Sequence, residues 1–234
     1  MHLGISMLLF IHGLSAHADE WKDFVEFFSE KGFSCRAVEL REGKNLRKTS
    51  FRDYVKTVVD MVGLDDIIVG HSMGGLIVQK VAEETKVKAA ISISPAPPKG
   101  VKSLTRTVPW YYMIRYIPNI IFNRPFKLSY SFYKNFLANG LNEEKIRRIH
   151  EHDGVESAKV ALELSLNRIS VNPSKISCPI LFITAREDRV SPPDVVKRVA
   201  DMYNADLKII DGSHYIFDNW HVIAEEILRF IESI

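Results

Sequence analysis

Short apolar runs alternate along the chain with segments of helical periodicity. Six of these runs predict β-strands, at residues 6–11, 34–40, 66–70, 87–94, 180–185 and 206–210. The intervening segments repeat apolar residues every three to four positions, which predicts helices at 20–31, from Ser50 onward, after Gly75, at 194–203 and at 221–231. Strands that are apolar along most of their length, alternating with helices, are typical of a parallel sheet covered by helices on both faces.

One long segment, residues 97–174, breaks this alternation because it contains no convincing strand. Three prolines divide its first part into short pieces: Pro109, Pro118 and Pro125. Its second part predicts two helices, at 143–152 and 155–169. We therefore expect an α/β core formed by residues 1–96 and 175–234, with a helical lid formed by residues 97–174.

The composition is that of an ordinary soluble globular protein. A chain of 234 residues, 46% hydrophobic and 26% charged, fits one domain with an insertion. A net charge of +2 gives no reason to expect a nucleic-acid partner. The two cysteines, Cys35 and Cys178, have no framework spacing, which favours a reducing compartment and no metal site. The apolar run at 7–11 is too short to span a membrane and lacks the charged region of a signal peptide, so a cytoplasmic location is expected.

The sequence Gly70-His71-Ser72-Met73-Gly74 has the pattern G-x-S-x-G and lies between a predicted strand and a predicted helix. A serine hydroxyl is a poor nucleophile unless it is exposed, oriented and close to a base. A tight strand-to-helix turn exposes it, and the flanking glycines let the backbone pack closely there. The pattern alone also occurs in ordinary glycine-rich turns, but this setting favours Ser72 as a catalytic nucleophile.

Two further residues follow predicted strands, where open α/β sheets place ligands. His214 comes after the last strand and is the candidate base for Ser72. Asp188 follows the strand at 180–185 and is the candidate carboxylate that orients His214. Glu187 and Asp194 compete with Asp188 for this role, although an aspartate in the first turn of a helix also has a purely structural explanation.

An acyl-transfer site also needs donors for the oxyanion. The backbone N–H of Met73, directly after Ser72, is one candidate. The backbone N–H of Leu14, in the loop His12-Gly13-Leu14 after the first strand, is the other. Preorganised donors of this kind each contribute about 2.7–4 kcal/mol to the transition state.

The order Ser72, Asp188, His214, together with the strand–turn–helix setting of Ser72, resembles the α/β-hydrolase fold family. The resemblance points to its serine esterase and lipase branch, with monoglyceride lipase-like or lysophospholipase-like members. It implies an insertion where residues 97–174 lack strands. Family members usually have two strands before the His-Gly strand, and this chain has no room for them. We therefore expect six parallel strands. The strand order of the family implies that the first lies between the second and third, so that Leu14 and Ser72 meet where the strand order reverses.

The lid sequence is aromatic and basic. Ten aromatic residues lie within 101–140, and among them Trp110, Tyr112 and Tyr116 are expected to line an apolar pocket above Ser72. Between Pro97 and Asn142 there are seven basic residues and no acidic one: Lys99, Lys102, Arg106, Arg115, Arg124, Lys127 and Lys134. A solvated basic face is one interpretation. Contact with an anionic amphiphile or an anionic lipid surface is the other.

These features together predict a carboxylesterase with a Ser-His-Asp triad that cleaves apolar or amphiphilic small-molecule esters through an acyl-enzyme intermediate. No cofactor and no metal is implied. An acyl thioesterase would use the same triad, and a hydrolase-fold receptor could keep the triad with negligible turnover. The natural substrate and the oligomeric state are left open by the sequence.

Overall fold

A computed structural model describes residues 7–101 and 111–234. At its centre lies a parallel sheet of six strands in the order β2-β1-β3-β4-β5-β6. The strands are β1 (Met7–Ile11), β2 (Ser34–Val38), β3 (Ile67–His71), β4 (Ala89–Ile93), β5 (Ile180–Ala185) and β6 (Asp206–Ile210). The predicted fold class is therefore confirmed, including the place of the first strand between the second and the third.

The two faces of the sheet are covered by different helices. Alternate residues of β1 show the division, since Leu8 and Phe10 pack into one apolar cluster while Leu9 and Ile11 pack into the other. The face that carries Leu8 and Phe10 is covered by α1 (Lys22–Glu30) and α10 (Trp220–Glu232). The face that carries Leu9 and Ile11 is covered by α2 (Phe51–Val59), α3 (Met73–Glu84) and α9 (Pro193–Tyr203). No helix in the described residues is both long and apolar enough to cross a membrane.

Several predicted boundaries shift where polar contacts interrupt the apolar pattern. The strand predicted at 87–94 spans only Ala89–Ile93. It ends before Ser94, which has φ +42° and whose N–H donates to the Ile183 carbonyl at 2.7 Å. The helix predicted after Gly75 begins at Met73, directly after Ser72. Gly74 and Gly75 thus lie inside the first helical turn instead of preceding it.

The segment between β4 and β5 is helical in its described part. It contains α4 (Tyr111–Ile114), α5 (Ile117–Ile121), α6 (Tyr130–Phe132) continuing into a π-helical turn (Tyr133–Leu137), α7 (Glu143–His152) and α8 (Ala158–Ser165). The predicted limits of α7 are confirmed. The helix predicted at 155–169 is shorter, because Glu156 pairs with Phe126 in an isolated antiparallel bridge and the Ser157 hydroxyl accepts from the Val160 N–H.

The turn between β3 and α3 packs directly on the end of β1. A Cβ atom at Gly70 would overlap the Gly74 carbonyl, and one at Gly74 would overlap the carbonyl oxygens of Ile11 and His12. The clashing atoms are backbone, which cannot swing aside as a side chain could. Glycine is therefore required at both positions by close backbone approach.

Replacing Gly74 by alanine is expected to destabilise the protein by at least about 2 kcal/mol, because the added methyl group must displace the backbone of β1. Urea denaturation measures the free energy of unfolding. Gly63→Ala is the matched control, since its Cβ would meet only the Asp66 carboxylate at an ordinary 3.5 Å. Equal stability of the two variants would contradict the close packing at Gly74.

Candidate active site

Ser72 occupies an unusual backbone conformation at the turn between β3 and α3. Its φ and ψ are +55° and −116°, a combination that residues other than glycine rarely adopt. Hydrogen bonds to β4 and to the loop that follows it hold Ser72 there: the Ser72 N–H donates to the Ile93 carbonyl, and the Ser72 carbonyl accepts from the Ala96 N–H, both at 2.9 Å. This strained turn between a strand and a helix has the backbone geometry expected of a nucleophile elbow.

Three side chains form a continuous hydrogen-bonded chain at the carboxyl edge of the sheet. His214 Nε2 lies 2.9 Å from Ser72 Oγ, and His214 Nδ1 lies 2.7 Å from Asp188 Oδ2. His214 and Asp188 are only 2% and 3% exposed. When Nδ1 carries the proton and donates it to Asp188, Nε2 has a lone pair that accepts from the Ser72 hydroxyl.

The structure separates Asp188 from its two competitors. The second carboxylate oxygen of Asp188 accepts from the backbone N–H groups of Val190 and Ser191, at 2.8 and 2.7 Å. These two bonds fix the carboxylate within its own loop, so that Oδ2 faces His214. Of the three acidic residues considered in this region, Asp188 is the one in contact with the imidazole.

Glu187 and Asp194 have other contacts. Glu187 is bonded twice to Gly212, through its backbone N–H and through its carboxylate, both at 2.9 Å, and so fastens the loop that carries His214. Asp194 lies in the first turn of α9 and forms an ion pair with Arg198 at 3.3 Å. Neither carboxylate reaches the imidazole of His214.

His71 supports His214 from its backbone side. His71 Nε2–H donates to the His214 carbonyl at 2.9 Å, and the two rings lie 4.8 Å apart. Burial, and secondarily the nearby His214, hold the pKa of His71 well below its usual range. Both effects favour the neutral form of His71. The motif places it beside Ser72, but no sequence signal indicates its contact with a residue 143 positions later.

The two backbone N–H groups expected to act as oxyanion donors have no other partner in the part of the chain that the structure describes. Within residues 7–101 and 111–234, the N–H groups of Leu14 and Met73 donate to no acceptor of the protein. A Cβ at Gly13 would lie 3.2 Å from the Cβ of Ser72, so the loop that carries Leu14 reaches the serine. His12 holds this loop, because its Nδ1–H donates to the Gly13 carbonyl at 2.8 Å while Nε2 accepts from the Leu40 N–H at 3.1 Å.

Ser72, Met73, Leu14 and His214 line a cavity of about 600 Å³. Its walls are mostly apolar and come from the helical segment and the loop after Asp188; they include Tyr116, Phe126, Leu128, Phe132, Leu164 and Val190. No acidic residue of the described part lines it, and Lys99 is its one charged lining residue there.

The three aromatic residues expected in the pocket have different outcomes. Tyr116 lines the cavity, and its hydroxyl accepts from the Ser129 N–H at 2.8 Å. Tyr112 packs on Phe136 and accepts from the Asn135 side chain at 2.8 Å, and it is not among the lining residues. Trp110 lies outside the described residues.

Comparison with known proteins places this arrangement in a family. Residues 8–226 match the alpha/beta hydrolase family. The chain belongs to the alpha/beta hydrolase family. This membership supports hydrolase activity in general. No curated protein sequence matches the chain.

Solved structures share the fold of this alpha/beta hydrolase at low sequence identity. An Arabidopsis methylesterase is 15% identical with a TM-score of 0.75, covering 98% of this chain and 100% of its own. A monoacylglycerol lipase from Paleococcus ferrophilus is 22% identical with a TM-score of 0.74, and the match covers 97% of this chain and 94% of the lipase. Tomato methylketone synthase I, complexed with 2-tridecanone, is 16% identical with a TM-score of 0.73, and the match covers 97% of this chain and 98% of the synthase. These likenesses establish the fold, which proteins of different activity share.

The buried neutral His71 makes the stability of this alpha/beta hydrolase depend on pH. Below about pH 6.5 the unfolded chain binds a proton at this histidine and the folded chain does not, so the free energy of unfolding falls as the pH is lowered. His71→Gln keeps a donor for the His214 carbonyl but cannot titrate. Between pH 7.5 and 5, the free energy of unfolding of this variant should fall less steeply with decreasing pH than that of the native protein. The two slopes, measured by urea titration, should differ by up to about 1.4 kcal/mol per pH unit.

The control for this measurement is His221→Gln, because His221 is exposed on α10. That variant should keep the slope of the native protein. If His71→Gln also keeps it, His71 is not a buried neutral group.

Proposed function

We propose that this protein is a serine hydrolase that cleaves carboxylic esters of apolar or amphiphilic substrates through an acyl-enzyme intermediate. One observation carries the proposal: the chain Asp188–His214–Ser72, with contacts of 2.7 and 2.9 Å, borders an apolar cavity of about 600 Å³. A nucleophile, its base and the group that orients the base are thus adjacent to a place where a substrate fits.

In the proposed reaction, Ser72 Oγ attacks the ester carbonyl carbon while His214 Nε2 takes the hydroxyl proton. Asp188, buried and fixed by two backbone N–H groups, stabilises the imidazolium that forms. The oxyanion accepts from the N–H groups of Leu14 and Met73. His214 then gives its proton to the leaving alkoxide as the bond from carbonyl carbon to ester oxygen breaks. Finally it activates a water molecule that releases the acid and regenerates Ser72.

The cavity supports an apolar or amphiphilic substrate. Its volume lies within the range that holds drug-sized ligands, and its walls offer aromatic and aliphatic side chains with few polar groups. The fold is shared with a monoacylglycerol lipase and with a synthase that binds the long-chain ketone 2-tridecanone. A single cation, Lys99, among the described lining residues is compatible with an anionic end on the substrate.

An activated serine should react covalently with a fluorophosphonate probe, and Ser72→Ala should abolish both labelling and hydrolysis of p-nitrophenyl esters. Asp188→Asn should lower kcat by about 10⁴-fold, because the imidazole loses the partner that orients it. Asp194→Asn is the matched control and should retain near-native kcat, since Asp194 faces solvent beside Arg198.

The other outcomes decide between reaction classes. Labelling of Ser72 without turnover of any ester would indicate a ligand-binding receptor. Acyl-CoA hydrolysis with a higher kcat/KM than oxygen esters of the same chain length would indicate a thioesterase. Failure of Ser72 to label in a folded protein would contradict the proposal as a whole.

The cavity wall predicts chain-length selectivity. Leu164 lies on α8 and lines the cavity, so Leu164→Trp should fill part of it. We expect kcat/KM for octanoyl esters to fall by about tenfold or more, roughly the loss of one to two buried methylene contacts, with little change for acetyl esters. Leu162→Trp on the same helix is the control, because Leu162 is not a lining residue. Equal losses for both esters would show that the acyl chain binds elsewhere.

A further inference from the structure

A second group of titratable side chains lies beside the triad without being part of it, where the 3₁₀ turn Ala18–Trp21 meets the end of α7. Glu20 comes from the turn, His152 is the last residue of α7, and Asp153 follows it. Each offers a potential ligand atom, and these three atoms lie within 4.8 Å of one another. The proposed ester hydrolysis uses none of these residues.

Asp153 is buried, and only one of its two carboxylate oxygens accepts a hydrogen bond from the described residues. Its side chain is 3% exposed; Oδ2 accepts from the Tyr133 hydroxyl, whereas Oδ1 has no hydrogen-bond partner. A buried carboxylate oxygen without a donor or cation costs free energy, so this atom requires either a proton or a positive charge. Burial raises the pKa of both Asp153 and Glu20, and the Asp153 carboxylate raises that of Glu20 further.

Glu20 and Asp153 lie close enough to share a proton between their carboxyl groups. Such a proton would involve these two residues alone, whereas a cation would also engage the imidazole that completes the cluster. His152 has its own supporting carboxylate, since its Nε2 lies 3.1 Å from Asp19 Oδ2. Residues that bind metals are commonly held in place by hydrogen bonds with neighbouring carboxylates and hydroxyls. Asp19 makes such a contact with His152, and Tyr133 makes one with Asp153.

We propose that Glu20, His152 and Asp153 bind one divalent transition-metal cation. Two carboxylate oxygens and one imidazole nitrogen suit Zn²⁺ or Mn²⁺, whereas Ca²⁺ and Mg²⁺ prefer ligand sets made of oxygen alone. The site uses no cysteine, which is why cysteine spacing in the sequence gives no indication of it. The proposal does not depend on the ester hydrolase function.

The site borders the catalytic residues. A small cavity of about 20 Å³ is lined by Glu20 and Asp153 and also by Ser72 and His214. A cation held at this place would therefore lie next to a space that the triad shares. Binding is nevertheless tested directly, without reference to turnover.

The test is isothermal titration calorimetry of the full chain with ZnCl₂ and with MnCl₂. The protein is first stripped of metal with EDTA and dialysed. We expect one site per chain for at least one of these ions and weaker binding of CaCl₂ and MgCl₂. Glu20→Gln and Asp153→Asn should each raise Kd by at least about tenfold. Glu151→Gln is the matched control, because Glu151 is an exposed carboxylate next to His152 and outside the cluster, and it should bind as the native chain does.

A spectroscopic measurement identifies the imidazole ligand. Co²⁺ bound to the native chain should give visible d–d absorption whose maximum shifts in His152→Gln. If Asp153→Asn does not fold by circular dichroism, Glu20→Gln and His152→Gln still decide, since both residues are less buried. The proposal would be overturned if neither Zn²⁺ nor Mn²⁺ bound, or if Glu151→Gln lost as much metal affinity as the other variants. If neither ion bound, a proton shared with Glu20 would account for the unpaired oxygen of Asp153.

Discussion

The close backbone approach of the β3–α3 turn to the end of β1 is the constraint on which the site depends. It requires the absence of a side chain at Gly74, because the carbonyl oxygens of Ile11 and His12 occupy the space that a Cβ would need. The same approach brings two N–H groups that follow these strands, those of Leu14 and Met73, to one serine. A single steric requirement thus sets the position of the elbow and of both candidate donors.

The strain at Ser72 is maintained by what surrounds it. A φ of +55° costs a serine of order 1–3 kcal/mol, and the ladder between β3 and β4 and the buried first turn of α3 offset this cost. His214 is fixed by different means, through Asp188 on its ring and through His71 on its carbonyl. Both supports are buried, so the imidazole keeps one orientation and one tautomer toward Ser72.

Local patterns were sufficient to predict the strands of the sheet and the loops that meet at its edge, whereas the strand order came from the resemblance to a known fold family. The first two features depend on short-range signals: apolar strands, the glycines of the elbow, and loops that follow strands. The start of α8 could not be predicted, because it depends on the pairing of Glu156 with Phe126, thirty residues earlier in the chain. For the same reason, the sequence could name Asp188 as a candidate partner of His214 but could not exclude the neighbouring Glu187, whose carboxylate accepts from the Gly212 N–H instead.

One buried carboxylate links the helical segment, which forms much of the cavity wall, to the core. Glu156 is fully buried and accepts from the Tyr54 hydroxyl at 2.6 Å and from the Ser15 N–H at 3.3 Å. Burial, and then the Glu156 charge, raise the pKa of Tyr54, so this hydroxyl remains a donor throughout the physiological range.

Glu156 is also bridged to Phe126, a wall of the cavity, while Ser15 directly follows Leu14. The pocket wall and the oxyanion loop are therefore tied to the same residue. In the proposed reaction, a substitution that loosens Glu156 would disturb substrate fit and oxyanion geometry together. Selectivity and rate of that reaction would thus be physically coupled, even though they arise from different parts of the chain.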